Sequence, residues 1–370
     1  MFEIWRSGGS NITTSPSEAR AVEAEGWDGQ MFMDSQSLSL DPYVMMGLWA
    51  GATERLKLST GVTNPHTRHI AVIAGCAASV QAVSGGRAVL GIGRGDSALA
   101  YLGLAPVGLA AFERALHDLQ VLLRRESLPF DPSAAGGEAP SLDVLSLGAR
   151  PEGTSLRWLA GDLPKVPLDV AATGPKVIEM AAPIAERLTF SVGAIPERID
   201  WAIALARAAR ARQGLTDQGI SYGAQLLVYC HRDADTALEA AARAAPPLAR
   251  FQVIQSGAAG PQNANDAANF EAIRKNYDMT THGVTHAKSR LMGMKLDADF
   301  VRRFAIAGAP EQCIERLIDL ARRGLDRLVC VGPAFYSEAW GEDRHLFARE
   351  VMPALRAELG ASKRPAPPGA

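Results

Sequence analysis

The sequence predicts an α/β chain folded as a parallel (β/α)8 TIM-like barrel with insertions. About eight short β-rich runs alternate with longer helical stretches, no repeat is visible at a period of about 20 to 50 residues, and turn-forming and hydrogen-bonding residues collect where the runs end. An open doubly wound sheet is the alternative. In both architectures ligands bind at the carboxyl ends of the strands.

The elements follow in order. "FEIW" reads as a strand, and "SPSEARAVEAEG" as a helix with Ser15 at its N-cap before Pro16. "GQMFMD" is the second strand, "DPYVMMGLWAGAT" a helix, "LKLSTGV" the third strand and "IAVIAGCAASVQAVSGG" a helix stopped by glycine. "RAVLGIG" is the fourth strand. Residues 128–165 are rich in turn formers and lack a sustained helical period, which predicts an irregular insertion with short hairpins. "PLDVAAT", "LTFSVGA" and "YGAQLLVYC" continue the strands, with helices "GPKVIEMAAPIAE" and "PERIDWAIALARAARAR" between them. Residues 233–303 are helical in composition but interrupted at Pro246, Pro247, Gly257 and Gly260, which predicts a helical insertion inside one domain spanning residues 1–360. "PEQCIERLIDLARRG", "LDRLVCVGP" and "RHLFAREVMPALRAEL" give helix, strand and closing helix. The Pro- and Ala-rich residues 361–370 are expected to be a flexible tail.

Composition narrows the function. The 370 residues carry 38 Lys plus Arg against 40 Asp plus Glu, a net charge of −2, so no global positive field recruits nucleic acid or an anionic membrane. A small-molecule partner is expected. Cys76, Cys230, Cys313 and Cys330 lie far apart in apolar surroundings without C-x-x-C spacing, a pattern of buried thiols in a reducing compartment. With neither a basic-then-apolar leader nor a run of about 18 apolar residues, a cytoplasmic location is expected.

The strand ends carry the chemistry. "VLGIGRGDS" offers Gly91, Gly93 and Gly95, but a dinucleotide fingerprint needs glycine where Asp96 stands, so the glycines read as a tight exit from the strand. "AATGPK" is either a helix start with an available anion cradle or an ordinary Thr-Gly-Pro entry. His66 and His69 are three apart, and His282 and His286 four apart, but neither pair has the further ligands a metal needs, so no metal is expected. No G-x-S-x-G occurs, which removes that class of serine hydrolase.

Taken together, "DSQ", "LSTGVTNPHTRH", "SGGRAVLGIGRGDSALAYLG", "AATGPKVIEMAAPIAERL" and "FAIAGAPEQCIERLIDLARRGLDRL" resemble the luciferase-like flavin-dependent oxidoreductases of the bacterial luciferase superfamily. The resemblance is nearest to the methylenetetrahydromethanopterin reductase-like, deazaflavin-dependent branch. It implies a barrel that holds coenzyme F420 or FMN, with a non-prolyl cis peptide at Gly61–Val62 at the end of the third strand. It implies catalytic roles for Asp34 and Asp96. Cofactor contacts are implied for Asp34, Gly61, Val62, Thr63 and Asn64, and phosphate contacts through backbone N–H groups for Thr173, Gly174, Gly193 and Ala194. Arg68 and His69 are expected to fasten the following helix.

Some positions depart from the family pattern. Ser35 stands where some relatives have a catalytic histidine, Arg187 and Leu188 replace a frequent Asp-Gly pair, and Ile70 replaces a common proline. The expected activity is hydride transfer between cofactor and a small organic substrate. An FMN-dependent monooxygenase that uses molecular oxygen and a partner flavin reductase is the second reading, and a non-catalytic flavin-binding barrel the third. The resemblance also implies a homodimer.

Overall fold

A computed structural model describes residues 2–8, 15–130, 140–146, 148–159, 161–282, 294–332, 335 and 338–361. The strands β1 (Glu3–Gly8), β2 (Gly29–Phe32), β3 (Lys57–Thr60) and β4 (Ala88–Ile92) alternate with α1 (Pro16–Ala24), α2 (Pro42–Ala50) and α3 (Ile70–Val83). After β4 come the single turn α4 (Ser97–Ala100) and α5 (Leu109–Leu123), then the two-residue strands β5 (Leu128–Pro129) and β6 (Gly153–Thr154), which pair as an antiparallel hairpin in the first insertion. The second half runs β7 (Leu168–Ala172), α6 (Pro175–Ala181), β8 (Arg187–Phe190), α7 (Pro196–Arg212) and β9 (Ser221–Cys230). Next are α8 (Ala234–Ala249), α9 (Ala264–Asn276), α10 (Ala298–Phe304), β10 (Ile306–Gly308), α11 (Pro310–Arg322), β11 (Arg327–Val331) and α12 (Met352–Ala361).

Eight strands close a parallel barrel in the order β1, β2, β3, β4, β7, β8, β9, β11 and back to β1. The barrel uses the eight runs read from the sequence. A further strand, β10, pairs with the outer residues Val228, Tyr229 and Cys230 of β9, which project past the barrel. At three residues it was too short to be separated from the helix start beside it.

Local chemistry sets the entries of the helices. Ser15 accepts a hydrogen bond from the Glu18 N–H, Asp41 accepts from Tyr43 and Val44 N–H, and His69 Nδ1 accepts from Ala71 N–H, each meeting N–H groups that a helix start leaves without partners. His69 thus fastens the following helix, as expected. One expectation is corrected: α8 runs through Pro246 and Pro247 to Ala249. Both prolines lie in its last turn, where each removes an N–H that would bond back along the helix, and the chain then tightens into a 3-10 turn over Arg250–Gln252.

Outward-facing strand residues such as Ile4, Leu58, Leu90, Leu168, Val170 and Leu188 pack against the helix layer in the main core. A second core lies under α8, α9 and α10, where Phe270, Phe300 and Phe304 stack edge to face or in parallel. The barrel interior is small and mixed. Trp5, Met31, Val89 and Val329 form an apolar layer, and beside it lies an ionic plug. Glu3 binds Lys57 and Arg187, and Asp169 binds Arg327 at 3.0 Å and Arg187 at 3.5 Å. Burial works to raise the Glu3 pKa, but Arg187 and Lys57 outweigh it and hold the carboxyl down at about 2. Burial pushes fully enclosed Arg327 down to about 10. A Cβ on Gly223 would stand 2.8 Å from the Arg327 guanidinium, so glycine there makes room for the arginine. The Arg187 departure is therefore part of the plug, and its guanidinium also lies 5.1 Å from the Trp5 ring. No described helix is long and apolar enough to cross a membrane. Residues 362–370 and His286 lie outside the described residues.

Candidate active site

The carboxyl ends of the strands open into a cavity of about 1170 Å³. Such a volume exceeds the usual range of about 300–1000 Å³ for one small ligand, so two molecules can share it.

Its floor is the chain leaving β3. The Gly61–Val62 peptide is cis, as the resemblance implies. Gly61, Val62 and Asn64 line the cavity. Gly61 donates its N–H to Phe32 carbonyl at 2.6 Å, and a Cβ at Gly61 would meet Met31 Cβ at 2.7 Å. The β4 glycines complete the fit. A Cβ on Gly91 would strike the Thr60 carbonyl, and one on Gly93 would touch Val62 Cγ2 at 3.0 Å. Gly95 alone of the three needs a positive φ, +81°. These glycines admit the β3 ledge rather than a pyrophosphate.

One implied role along this ledge is corrected. Thr63 is fully buried and does not line the cavity. Its N–H donates to Gly91 carbonyl and its carbonyl accepts from Gly93 N–H, so it sews the ledge to β4. Asn64 spends its side-chain oxygen on His66 and Thr67 N–H and donates its amide to the Thr67 hydroxyl, closing its own turn. Arg68 does not fasten the following helix. It reaches back to Asp34 at 2.5 Å and Asp41 at 2.6 Å, tying the end of β2 to the start of α2. Burial would lower its pKa, but hydrogen bonds and charge from the two carboxylates raise it above its ordinary value. Asp34 lines the cavity as a carboxylate already paired with a cation.

Across the cavity Thr173, Gly174 and Lys176 line the start of α6. Gly174 is the N-cap, has no side-chain cap and has nothing within 4 Å of its missing Cβ, so backbone N–H groups are open to a ligand there. Gly193 and Ala194 do not join them. The Ala194 N–H donates to Phe304 carbonyl at 2.8 Å, and a Cβ on Gly193 would stand 2.5 Å from the Phe304 ring. Both residues instead dock α10, and neither lines the cavity.

In the third wall the sequence points to Asp96 but not to its partner Arg250. Arg250, 3% exposed, forms an ion pair with Asp96 and a 3.2 Å contact from Nη2 to His282 Nε2. His282 Nδ1 meets the Tyr277 hydroxyl at 2.6 Å. The Arg250 guanidinium lies 4.7 Å from the Phe251 ring and 5.3 Å from Tyr277. Burial first, then the Arg250 charge, lowers the His282 pKa to about 4, so the imidazole is neutral near pH 7. Gln252 donates to Ser191 carbonyl and accepts from Arg198 at 2.6 Å, while Arg94 donates to Gln255 at 2.9 Å. The segment from Arg250 to Gln255 is thereby strapped from the β4 exit to the β8 exit. The only sequence signal for it was the break after Pro247. No group of three or more potential metal ligands occurs among the described residues.

A parallel eight-stranded barrel with a cavity at its carboxyl end, a glycine-fitted backbone floor and polar strand ends has the arrangement of a barrel enzyme. The luciferase-like monooxygenase profile matches residues 4–327, and the chain belongs to that family of oxidoreductases. A 5,10-methylenetetrahydromethanopterin reductase from Methanolobus tindarius is 26% identical over 320 residues, covering 85% of this chain and 89% of the relative. Another of that name from Archaeoglobus fulgidus is 23% identical, covering 91% and 94%. Among solved structures, the coenzyme F420-dependent tetrahydromethanopterin reductase of Methanopyrus kandleri aligns with a TM-score of 0.70 at 20% identity, over 96% of this chain and 99% of that one. The FMN complex of the oxygenating constituent of 3,6-diketocamphane monooxygenase from Pseudomonas putida aligns with a TM-score of 0.61 at 15% identity, over 96% and 99%. At these identities the two structures share the fold.

Proposed function

We propose that this protein is a flavin- or deazaflavin-dependent oxidoreductase that moves hydride between coenzyme F420 or FMN and a small organic substrate. The observation that carries the reading is the cavity floor, where glycines at positions 61, 91 and 93 let bare backbone press upward beneath a space large enough for a tricyclic ring and a second molecule. The curated reductases that match over most of their length support it.

When bound, the cofactor would supply hydride exchange at the central ring, chemistry that no side chain can provide. Gly61 and Val62 would set the depth of the ring and leave one face open. Thr173, Gly174 and Lys176 would take the anionic end, by N–H groups and one ammonium. Asp34, held by Arg68, would present an oriented carboxylate near the ring. Asp96, the second implied catalytic residue, is held in an ion pair by Arg250, so it would act with that partner and not as a free base.

A second copy of the chain is proposed to cover α2 and α3. Val44, Leu48, Val72 and Val83 expose 69%, 41%, 51% and 65% of their surfaces on this neighbouring pair of helices, an apolar area unusual for solvent. The test of function is anaerobic reduction of the protein-bound cofactor followed by mixing with a substrate panel, read by absorbance. Cofactor reoxidation by organic substrate without oxygen supports hydride transfer. Oxygenation of a substrate that requires molecular oxygen and reduced FMN supplied by a flavin reductase transfers the protein to the monooxygenase reading, and tight binding with no turnover supports a non-catalytic barrel.

A further inference from the structure

The strap from Arg250 onward brings a buried guanidinium and an apolar wall to the same side of the cavity, with Arg94 and Arg243 also among the lining residues. Pro106, Leu109, Leu248, Phe251 and Ile254 line that side, and Ile254 remains 40% exposed although it is a large aliphatic residue. The exposed apolar surface costs free energy until something covers it. Arg250 adjoins this wall directly, because its guanidinium lies against the ring of the next residue, Phe251. An arginine offers five N–H groups. Among the described residues, Nη1 serves Asp96, Nη2 serves His282, and Nε has no hydrogen-bond partner although it is buried. The guanidinium therefore has donor capacity beyond its contacts to Asp96 and His282. The acidic groups of the cavity do not compete for it: Asp34 and Asp169 are paired with Arg68 and Arg327, and Asp96 is already the Arg250 partner.

We infer that the substrate half of this cavity takes a molecule with one carbonyl or hydroxyl oxygen on an otherwise apolar body. The oxygen accepts from Arg250, which Asp96 and His282 hold in place, and the body lies along Leu109, Leu248, Phe251 and Ile254. This rests on the proposed oxidoreductase reading for the location of the substrate, but it concerns binding, and so it can be tested without turnover.

The probe is the series from 2-hexanone to 2-decanone, titrated calorimetrically into the cofactor-saturated protein and into the protein alone, with cofactor affinity measured in parallel. Each methylene should tighten binding about fourfold until the wall is filled. Ile254→Ser and Leu248→Ser, at incompletely buried positions that tolerate change, should flatten that increment and leave cofactor affinity within about twofold. Arg250→Lys should weaken every ketone about tenfold or more while preserving the increment. Should that variant fail to fold, Asp96→Asn, which keeps the arginine but loosens its hold, should give a smaller loss of the same kind. Cofactor binding with no chain-length increment, or an increment untouched by both serine variants, would overturn the inference. A preserved increment in a protein that binds neither cofactor would instead sink the oxidoreductase reading and leave this one standing.

Discussion

Replacing Gly61 with alanine is the sharpest perturbation of the cavity floor. The new methyl would lie 2.7 Å from Met31 Cβ and 3.5 Å from both the Met31 carbonyl carbon and the Phe32 nitrogen. Carbon atoms in contact prefer about 3.5–4.0 Å, so the ledge and β2 must part by roughly 1 Å. Met31 Cβ is fixed to its strand and cannot swing aside as a side-chain tip would. The separation also pulls on the Gly61 N–H to Phe32 carbonyl bond. Overpacking of this kind costs about 1–3 kcal/mol and a weakened hydrogen bond about 1 more, for a total loss of about 2–4 kcal/mol. The displaced ledge intrudes on the ring position, and cofactor affinity should fall at least about tenfold. Urea unfolding and equilibrium titration with FMN and with the deazaflavin coenzyme read the two effects. A stability change below about 0.5 kcal/mol together with unchanged affinity would refute the packing argument.

Gly174→Ala is the matched contrast. Open space around its missing Cβ predicts a stability change under about 1 kcal/mol, while a methyl at the helix start should weaken cofactor binding severalfold in the same titration. Arg327→Leu leaves buried Asp169 with the Thr189 hydroxyl at 2.8 Å and one cation, Arg187 at 3.5 Å, and should cost about 3–5 kcal/mol in urea unfolding without changing the residues that line the cavity floor. Glu3 carries an acid-dependent term. Its folded pKa of about 2 lies below the ordinary 4.5, so its stabilisation is present above about pH 4.5 and disappears as pH falls toward 2. The shift corresponds to at most about 3 kcal/mol, and Glu3→Gln should show a shallower loss of stability than the natural protein between pH 5 and 3. Val72→Glu, in the exposed apolar face of α3, should convert a dimer into monomers by sedimentation; an unchanged sedimentation coefficient would place the contact elsewhere.

The barrel was legible because most strands are short, largely apolar runs closed by a residue that breaks them. Gly61 after β3 and Gly93 after β4 are examples, and caps such as Ser15 and Asp41 mark where helices begin. Period and punctuation are local properties, and local reading recovers them. The site was legible only along the backbone that follows β3, where the run from Ser59 to His69 carries its own turn chemistry. Which side chains turn inward depended on partners far away in sequence. Arg68 was assigned to its own helix because Asp34 lies 34 residues upstream, and Gly193 and Ala194 were assigned to a phosphate because Phe304 cannot be brought against them without the fold. Arg250 and His282 escaped for the same reason. Their partner Asp96 is separated from Arg250 by 154 residues, and a helical insertion has no period that reports what its ends will touch.

The central claim is that a flavin-type ring rests on the Gly61–Val62 ledge inside this cavity. Equilibrium titration of the purified protein with FMN and with coenzyme F420, under anaerobic conditions and read by fluorescence and absorbance, tests it most directly. Saturable binding of one of them at one molecule per chain, lost in Gly61→Ala and retained in Arg327→Leu where that variant folds, is the predicted result. Failure of both to bind a folded natural protein would contradict it.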